Sequence, residues 1–110
     1  MIESAAKHDC CSLGPGLLSP QSAQRYAQLF KVLADPIRLQ LLSHIADTGC
    51  DPLTVNELTE RTGLSQSTVS HHLGKLTEAG LLEKKRQGRF VTHTVVAPTF
   101  RDLCSVLSLG

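Results

Sequence analysis

Apolar residues return every three or four positions along most of this chain, and one late stretch alternates instead. Tyr26, Leu29, Phe30 and Leu33 make the first apolar stripe, which predicts a helix from about residue 20 to 33. Ser19-Pro20 is its start signal, a hydroxyl cap followed by proline at the first helical position. Asp35-Pro36 repeats that signal, and Ile37, Leu41, Leu42 and Ile45 give a second helix that ends before Gly49. Cys50-Asp51-Pro52 reads as the connecting loop. Thr54-Val55-Asn56-Glu57 has the T-x-x-E form of a capping box, so a short third helix follows to about Arg61, burying Val55 and Leu58. Thr62-Gly63-Leu64 is a tight turn, and Ser65 caps a fourth helix through about Ala79 that turns Leu64, Val69, Leu73 and Leu76 inward.

After Gly80 the period changes. Leu81 to Arg86 and Phe90 to Val95 are extended runs separated by Gln87-Gly88-Arg89, and the second is β-branched and alternating, which predicts a β-hairpin. Pro98 opens a last helix with Phe100, Leu103, Val106 and Leu107 on its apolar side. The fold class is therefore mainly α with one β-hairpin, in the order α-α-α-α-β-β-α. Residues 19–110 form one domain, and residues 1–18, broken by Gly14-Pro15-Gly16, form a flexible tail.

Composition changes this picture little. A chain of 110 residues is the size of one domain, whose modest core favours dimerisation. Net charge is +1, but residues 64–89 hold five cations (Lys75, Lys84, Lys85, Arg86, Arg89) against Glu78 and Glu83. A basic patch on a near-neutral body points to a polyanion. No basic start leads into an apolar run and no apolar stretch has membrane length, so the sequence predicts a cytoplasmic protein with reduced thiols and no membrane partner.

The most specific segment is LTVNELTERTGLSQSTVSHHLGKLTEAGLLEKKRQGRFVTHTV. Two short helices joined at Gly63, then a basic hairpin, make a winged helix-turn-helix. An α-helix fits the major groove, so its outward side chains must be short and polar. Those are Gln66, Ser67, Ser70, His71 and Lys75. Gln66, Ser67 and His71 reach base edges, whereas Thr68 and Lys75 suit phosphates. Lys84, Lys85, Arg86 and Arg89 of the hairpin suit the backbone or the adjacent minor groove. His72, beside Leu73 and Leu76, reads as structural, as do Asp35, a cap, and Arg38, a surface or packing charge. No nucleophile, base and orienting group assemble, and adjacent residues of Ser70-His71-His72 do not face one another on a helix, so the chain is not expected to be an enzyme.

The segments LADPIRLQLL (33–42), VNELTERTGLSQSTVSHHLGKLTEAGLL (55–82) and EKKRQGRFV (83–91) resemble the ArsR (ArsR/SmtB) family of winged helix-turn-helix repressors. The resemblance covers roughly residues 20–108. It implies a homodimer built from the first and last helices, holding operator DNA until a toxic metal or metalloid binds. The residues agree: Tyr26, Phe30, Leu103 and Leu107 put apolar surface on those two helices. Two recognition helices related by a two-fold axis would read an inverted repeat in double-stranded DNA with half-sites ~34 Å apart.

The resemblance does not fix the inducer. The third helix has no C-x-C pair, and the last helix offers Asp102 and Cys104 but no histidine, so the two common ligand sets of the family are missing. What remains is Lys7-His8-Asp9-Cys10-Cys11-Ser12 in the tail and Cys50 in the loop. Trivalent arsenic takes three thiolates in a pyramid, and soft sulfur selects soft centres. Cys10, Cys11 and Cys50 are such a trio, for arsenite as inducer and antimony(III) as its analogue, with no organic cofactor. The resemblance to arsenite-responsive relatives implies a similar tail-and-loop arrangement, in which Cys50 comes from the same subunit or, as the resemblance favours, from the partner. Eight residue steps separate Cys11 from Ser19, a reach of about 28 Å. Two alternatives stand on the same fold: a cadmium or zinc sensor in which His8 and Asp9 join Cys10 and Cys11, and a thiol-oxidation sensor that pairs Cys11 with Cys50. Cys104 is expected to be a small buried hydrophobe of the last helix.

Overall fold

The computed structural model describes residues 17–49 and 51–107. Five helices and three strands follow in the order α1 (Pro20–Leu33), α2 (Pro36–Asp47), β1 (Leu53–Thr54), α3 (Val55–Thr62), α4 (Gln66–Glu78), β2 (Leu82–Gln87), β3 (Phe90–Val95) and α5 (Ala97–Leu107). The expected helices and hairpin are all present, within a residue or two of their expected limits.

Each start signal works as the chemistry requires. Ser19 Oγ accepts the Ser22 amide at 3.0 Å and opens α1. Asp35 accepts the amides of Ile37 and Arg38 at 2.9 and 3.2 Å and opens α2. The Arg38 amide above all, opposed by burial and helped by the Ile37 amide and the nearby His72 and Arg38 charges, holds the Asp35 carboxyl below its usual range. The capping box is complete. Glu57 accepts the Thr54 amide at 3.0 Å, and Thr54 Oγ1 accepts the Glu57 amide at 3.1 Å. The Thr54 backbone and hydroxyl together depress the Glu57 pKa. Gly63, at φ +74, ends α3 in the left-handed conformation, which glycine adopts without strain and which turns the chain sharply into α4.

The sheet departs from expectation. Leu53 and Thr54 pair with His93 and Thr92, so the wing is three-stranded in the order β1-β3-β2, not a hairpin alone. Two residues are too few to show periodicity, so only the pairing reveals this strand. In the β2–β3 ladder Lys84 lies opposite His93 and Arg86 opposite Val91. β3 is thus a central strand, and both Thr92 and His93 are buried.

Leu41, Leu58, Val69, Leu73, Leu76 and Leu81 are almost wholly enclosed and form the centre of the core, with Leu29, Leu42, Ile45 and Leu103 around them. Each such side chain contributes roughly 1.5–3 kcal/mol by leaving water. Three come from α4, so the helix that offers its polar face outward is fixed by the best-packed stripe in the molecule.

Candidate nucleic-acid interface

All but one of the expected reader residues are exposed. Gln66, Ser67, Ser70, His71 and Lys75 on α4 are exposed, as are Lys84, Lys85, Arg86 and Arg89 on the wing. Thr68 differs, being half-buried with its Oγ1 accepting from the Ser65 cap hydroxyl at 2.8 Å. Its hydroxyl therefore also serves the start of α4. On the wing, Lys85 lies 3.7 Å from Glu83, a pair so exposed that it constrains the lysine little.

Two clefts join α4 to the wing. One of about 210 Å³ brings Gln66 and Arg89 to the same opening, with Asn56 and the exposed Phe90 beside them. The other, about 330 Å³, is lined by Ser70 and Lys84 and by the buried His93. A polar side chain of α4 and a cation of the wing thus meet at two clefts.

α4 is tied to the rest of the domain by Arg38. Its Nη1 donates to the Val32 carbonyl at the end of α1 at 3.0 Å, and its Nε donates to His72 Nδ1 at 3.1 Å. The accepting Nδ1 carries no proton, so the tautomer is the Nε2–H form. His71 lies edge-on to His72 with ring centroids 5.2 Å apart. The chain Arg38–His72–His71 therefore runs from the α1–α2 joint to a side chain on the exposed face. The structural role expected for His72 is borne out. Arg38, expected to be structural as a surface or packing charge, is half-buried and acts as a bracket between the α1–α2 joint and α4.

The thiol trio lies outside the described residues: Cys10 and Cys11 fall among the first sixteen positions, and Cys50 between the two described stretches. Among the described residues no three His, Cys, Asp or Glu side chains gather as a metal site. Cys104 is exposed within the single chain, contrary to the buried position expected for it. It lies on the face of α5 away from Leu103 and Val106, beside an open apolar hollow of about 570 Å³ lined by Val95 and Phe100. Of the residues expected at a dimer contact, Tyr26 and Phe30 are half-buried, Leu103 is in the chain's own core, and Leu107 is 60% exposed. Among the described residues no helix is long and apolar enough to cross a membrane.

The sequence profile of the bacterial regulatory proteins of the arsR family matches residues 35–84, from the α2 cap to Lys84 of the wing. The antimony-specific transcriptional repressor AntR has the same fold, with a TM-score of 0.68 and 33% identity over 79% of this chain and 78% of AntR. This chain belongs to the arsR family. The transcriptional regulator NmtR of Mycobacterium tuberculosis is 36% identical over 78 residues, 71% of this chain and 62% of NmtR. The arsenic resistance regulator ArsR1 of Pseudomonas putida is 44% identical over 65 residues, 59% of this chain and 49% of ArsR1. The match thus spans about half to three fifths of the length of these two relatives. A family of DNA-binding transcriptional regulators agrees with the expectation that the chain is no enzyme.

Two features of the interface were not anticipated. His93 looked like one more polar position in an alternating strand, yet it is 4% exposed and its Nδ1 has no hydrogen-bond partner. Burial, and secondarily the charge of Lys84, lowers its pKa. Its place between Val91 and Val95 on one face of β3 was the available signal. Gly74, in the middle of α4, stands out in no apolar or polar periodicity of that helix.

Proposed function

We propose that this protein is an operator-binding repressor, acting as a homodimer in the cytoplasm, that releases an inverted-repeat DNA site when arsenite or antimonite is captured by Cys10, Cys11 and Cys50. The observation that carries the reading is the adjacent cysteine pair of the sequence, together with a loop cysteine, on a chain whose reader is otherwise complete. Gln66, Ser67 and His71 would discriminate bases. Ser70 would border them, Thr68 and Lys75 would hold phosphates, and Lys84, Lys85, Arg86 and Arg89 would anchor the wing. Tyr26, Phe30 and Leu107, with Leu103 behind them, would meet the second copy.

Thiolate capture requires a soft ion, and release requires that the loaded and DNA-bound forms disfavour each other by about 1–3 kcal/mol or somewhat more. Support comes from relatives named as an arsenic resistance regulator and an antimony-specific repressor. Operator affinity of the native, Cys10→Ser and Cys50→Ser proteins, each with and without arsenite, tests the trio. Both variants should bind DNA normally and ignore arsenite. Normal release by either variant refutes it. Parallel titrations with cadmium and zinc, read by thiolate absorption, test the alternative in which His8 and Asp9 complete a divalent site.

A further inference from the structure

The larger of the two clefts between α4 and the wing holds about 330 Å³ and has apolar walls from Val55, Leu73 and Val91. Three observations converge on it. Gly74 lines it from the middle of α4, where glycine is a poorer helix former than alanine. Nothing inside the protein asks for that glycine. Its φ is not positive, and a Cβ built there meets no atom within 4 Å. The missing side chain keeps space open toward the outside. Next, His93 lines the same cleft, and among the described residues its enclosed Nδ1 has no hydrogen-bond partner, a state that costs stability. Finally, the exposed Ser70 hydroxyl and Lys84 ammonium border the cleft, one from the helix and one from the wing. No acidic side chain lines it.

We propose that this cleft seats one phosphate of the DNA backbone, with Gly74 leaving room for the strand, Lys84 and Ser70 binding the phosphate oxygens, and His93 in the wall behind them. The inference rests on the DNA-binding reading above. A helix in the major groove and a wing in the neighbouring minor groove have one backbone strand between them, and this cleft is the gap in which that strand must pass. Small size at position 74 and a cation at the rim thus have one cause.

The test uses Gly74→Ala and Gly74→Leu in the full chain. Both are better helix formers and meet open space, so both should melt at or above the native temperature. Binding is measured on a duplex selected from a random pool by the native protein and on a scrambled duplex. Gly74→Ala should weaken both several-fold and Gly74→Leu both by about tenfold or more, because a phosphate contact carries no sequence information. Lys84→Met should lower the salt slope by about one in the native background and by less beside Gly74→Leu. Native-like affinity of Gly74→Leu for both duplexes overturns the seat while leaving the repressor reading intact, and so does a loss confined to the selected duplex. A native protein that selects no duplex at all overturns the repressor reading and the seat with it.

Discussion

Arg38 is where the structure makes its sharpest demand on stability. Replacing it by methionine keeps the aliphatic stem and removes two hydrogen bonds, to the Val32 carbonyl at 3.0 Å and to His72 Nδ1 at 3.1 Å. The donor is charged and both bonds are partly buried, so each is worth roughly 1.5 kcal/mol, the lower end of the range for ionised donors. The Val32 carbonyl belongs to the last turn of α1 and has no partner further along the helix, so it gains nothing in return. Arg38→Met should therefore cost about 3 kcal/mol, and Arg38→Lys about half that, since an ammonium cannot hold two acceptors in the fork geometry of guanidinium. For a domain near this size each kcal/mol lowers the melting temperature by roughly 4–8 °C. Urea unfolding at fixed protein concentration measures the loss without interference from association. A double-mutant cycle with His72→Ala should return a coupling of about 1.5 kcal/mol for the Nε bond alone. A loss under about 0.5 kcal/mol for Arg38→Met, typical of an ordinary surface position, would show that the bracket is not a structural joint.

Two further outcomes follow from the reader and its wall. Gln66→Ala and His71→Ala should lose discrimination between operator and scrambled duplexes, each by about 1–3 kcal/mol for a good base contact, whereas Lys84→Ala and Arg86→Ala should weaken both duplexes alike and flatten the salt dependence. Equal losses on both duplexes for Gln66 and His71 would remove them as base readers. His93 resists a proton in the folded chain, because burial and then Lys84 lower its pKa. The unfolded chain takes that proton up below about pH 6.5, so stability should be level above that value and fall as the pH drops beneath it. His93→Leu should remove this slope and keep only the later acid loss near pH 4 and below, where the depressed carboxyls of Asp35 and Glu57 become protonated. Identical slopes for native and variant between about pH 5 and pH 6.5 would refute the burial argument.

Much of this architecture was legible because its signals are local. Ser19-Pro20, Asp35-Pro36 and Ser65 announce helix starts through side-chain oxygens a few residues from the amides they satisfy, and Gly63 marks a turn by backbone conformation alone. The exposed faces of α4 and the wing followed from the same periodicity. The features that escaped depend on partners far along the chain. Arg38 meets His72 across thirty-four positions, and Leu53 finds His93 only when β3 folds between β1 and β2. His93 is buried by that same closure. Cys104 was misplaced because cysteine's general preference for interiors says nothing about which side of α5 it occupies; the stripe of Leu103 and Val106 takes the core side and leaves Cys104 outside.

These packing facts also limit how an inducer can act on the reader. The inner face of α4, Val69, Leu73 and Leu76, is at most 1% exposed, and Arg38 holds its outer flank to the α1–α2 joint. Moving α4 within its own domain would open cavities among these side chains at about 2–5 kcal/mol for each large residue left without neighbours. The 1–3 kcal/mol typical of coupling between two ligands does not reach that far. Softer degrees of freedom lie on α1 and α5, where Tyr26 and Phe30 are only half-covered and Leu107 is exposed. A dimer formed through those surfaces can rotate one intact reader against the other without disturbing either core. On the inverted repeat of the proposed function, two recognition helices would have to match half-sites ~34 Å apart, so a small rotation would be enough to spoil their register on DNA. The sulfur trio of the proposed function is suited to this, since a tail that reaches the partner's Cys50 would clamp two rigid bodies together and leave α4 unaltered inside each.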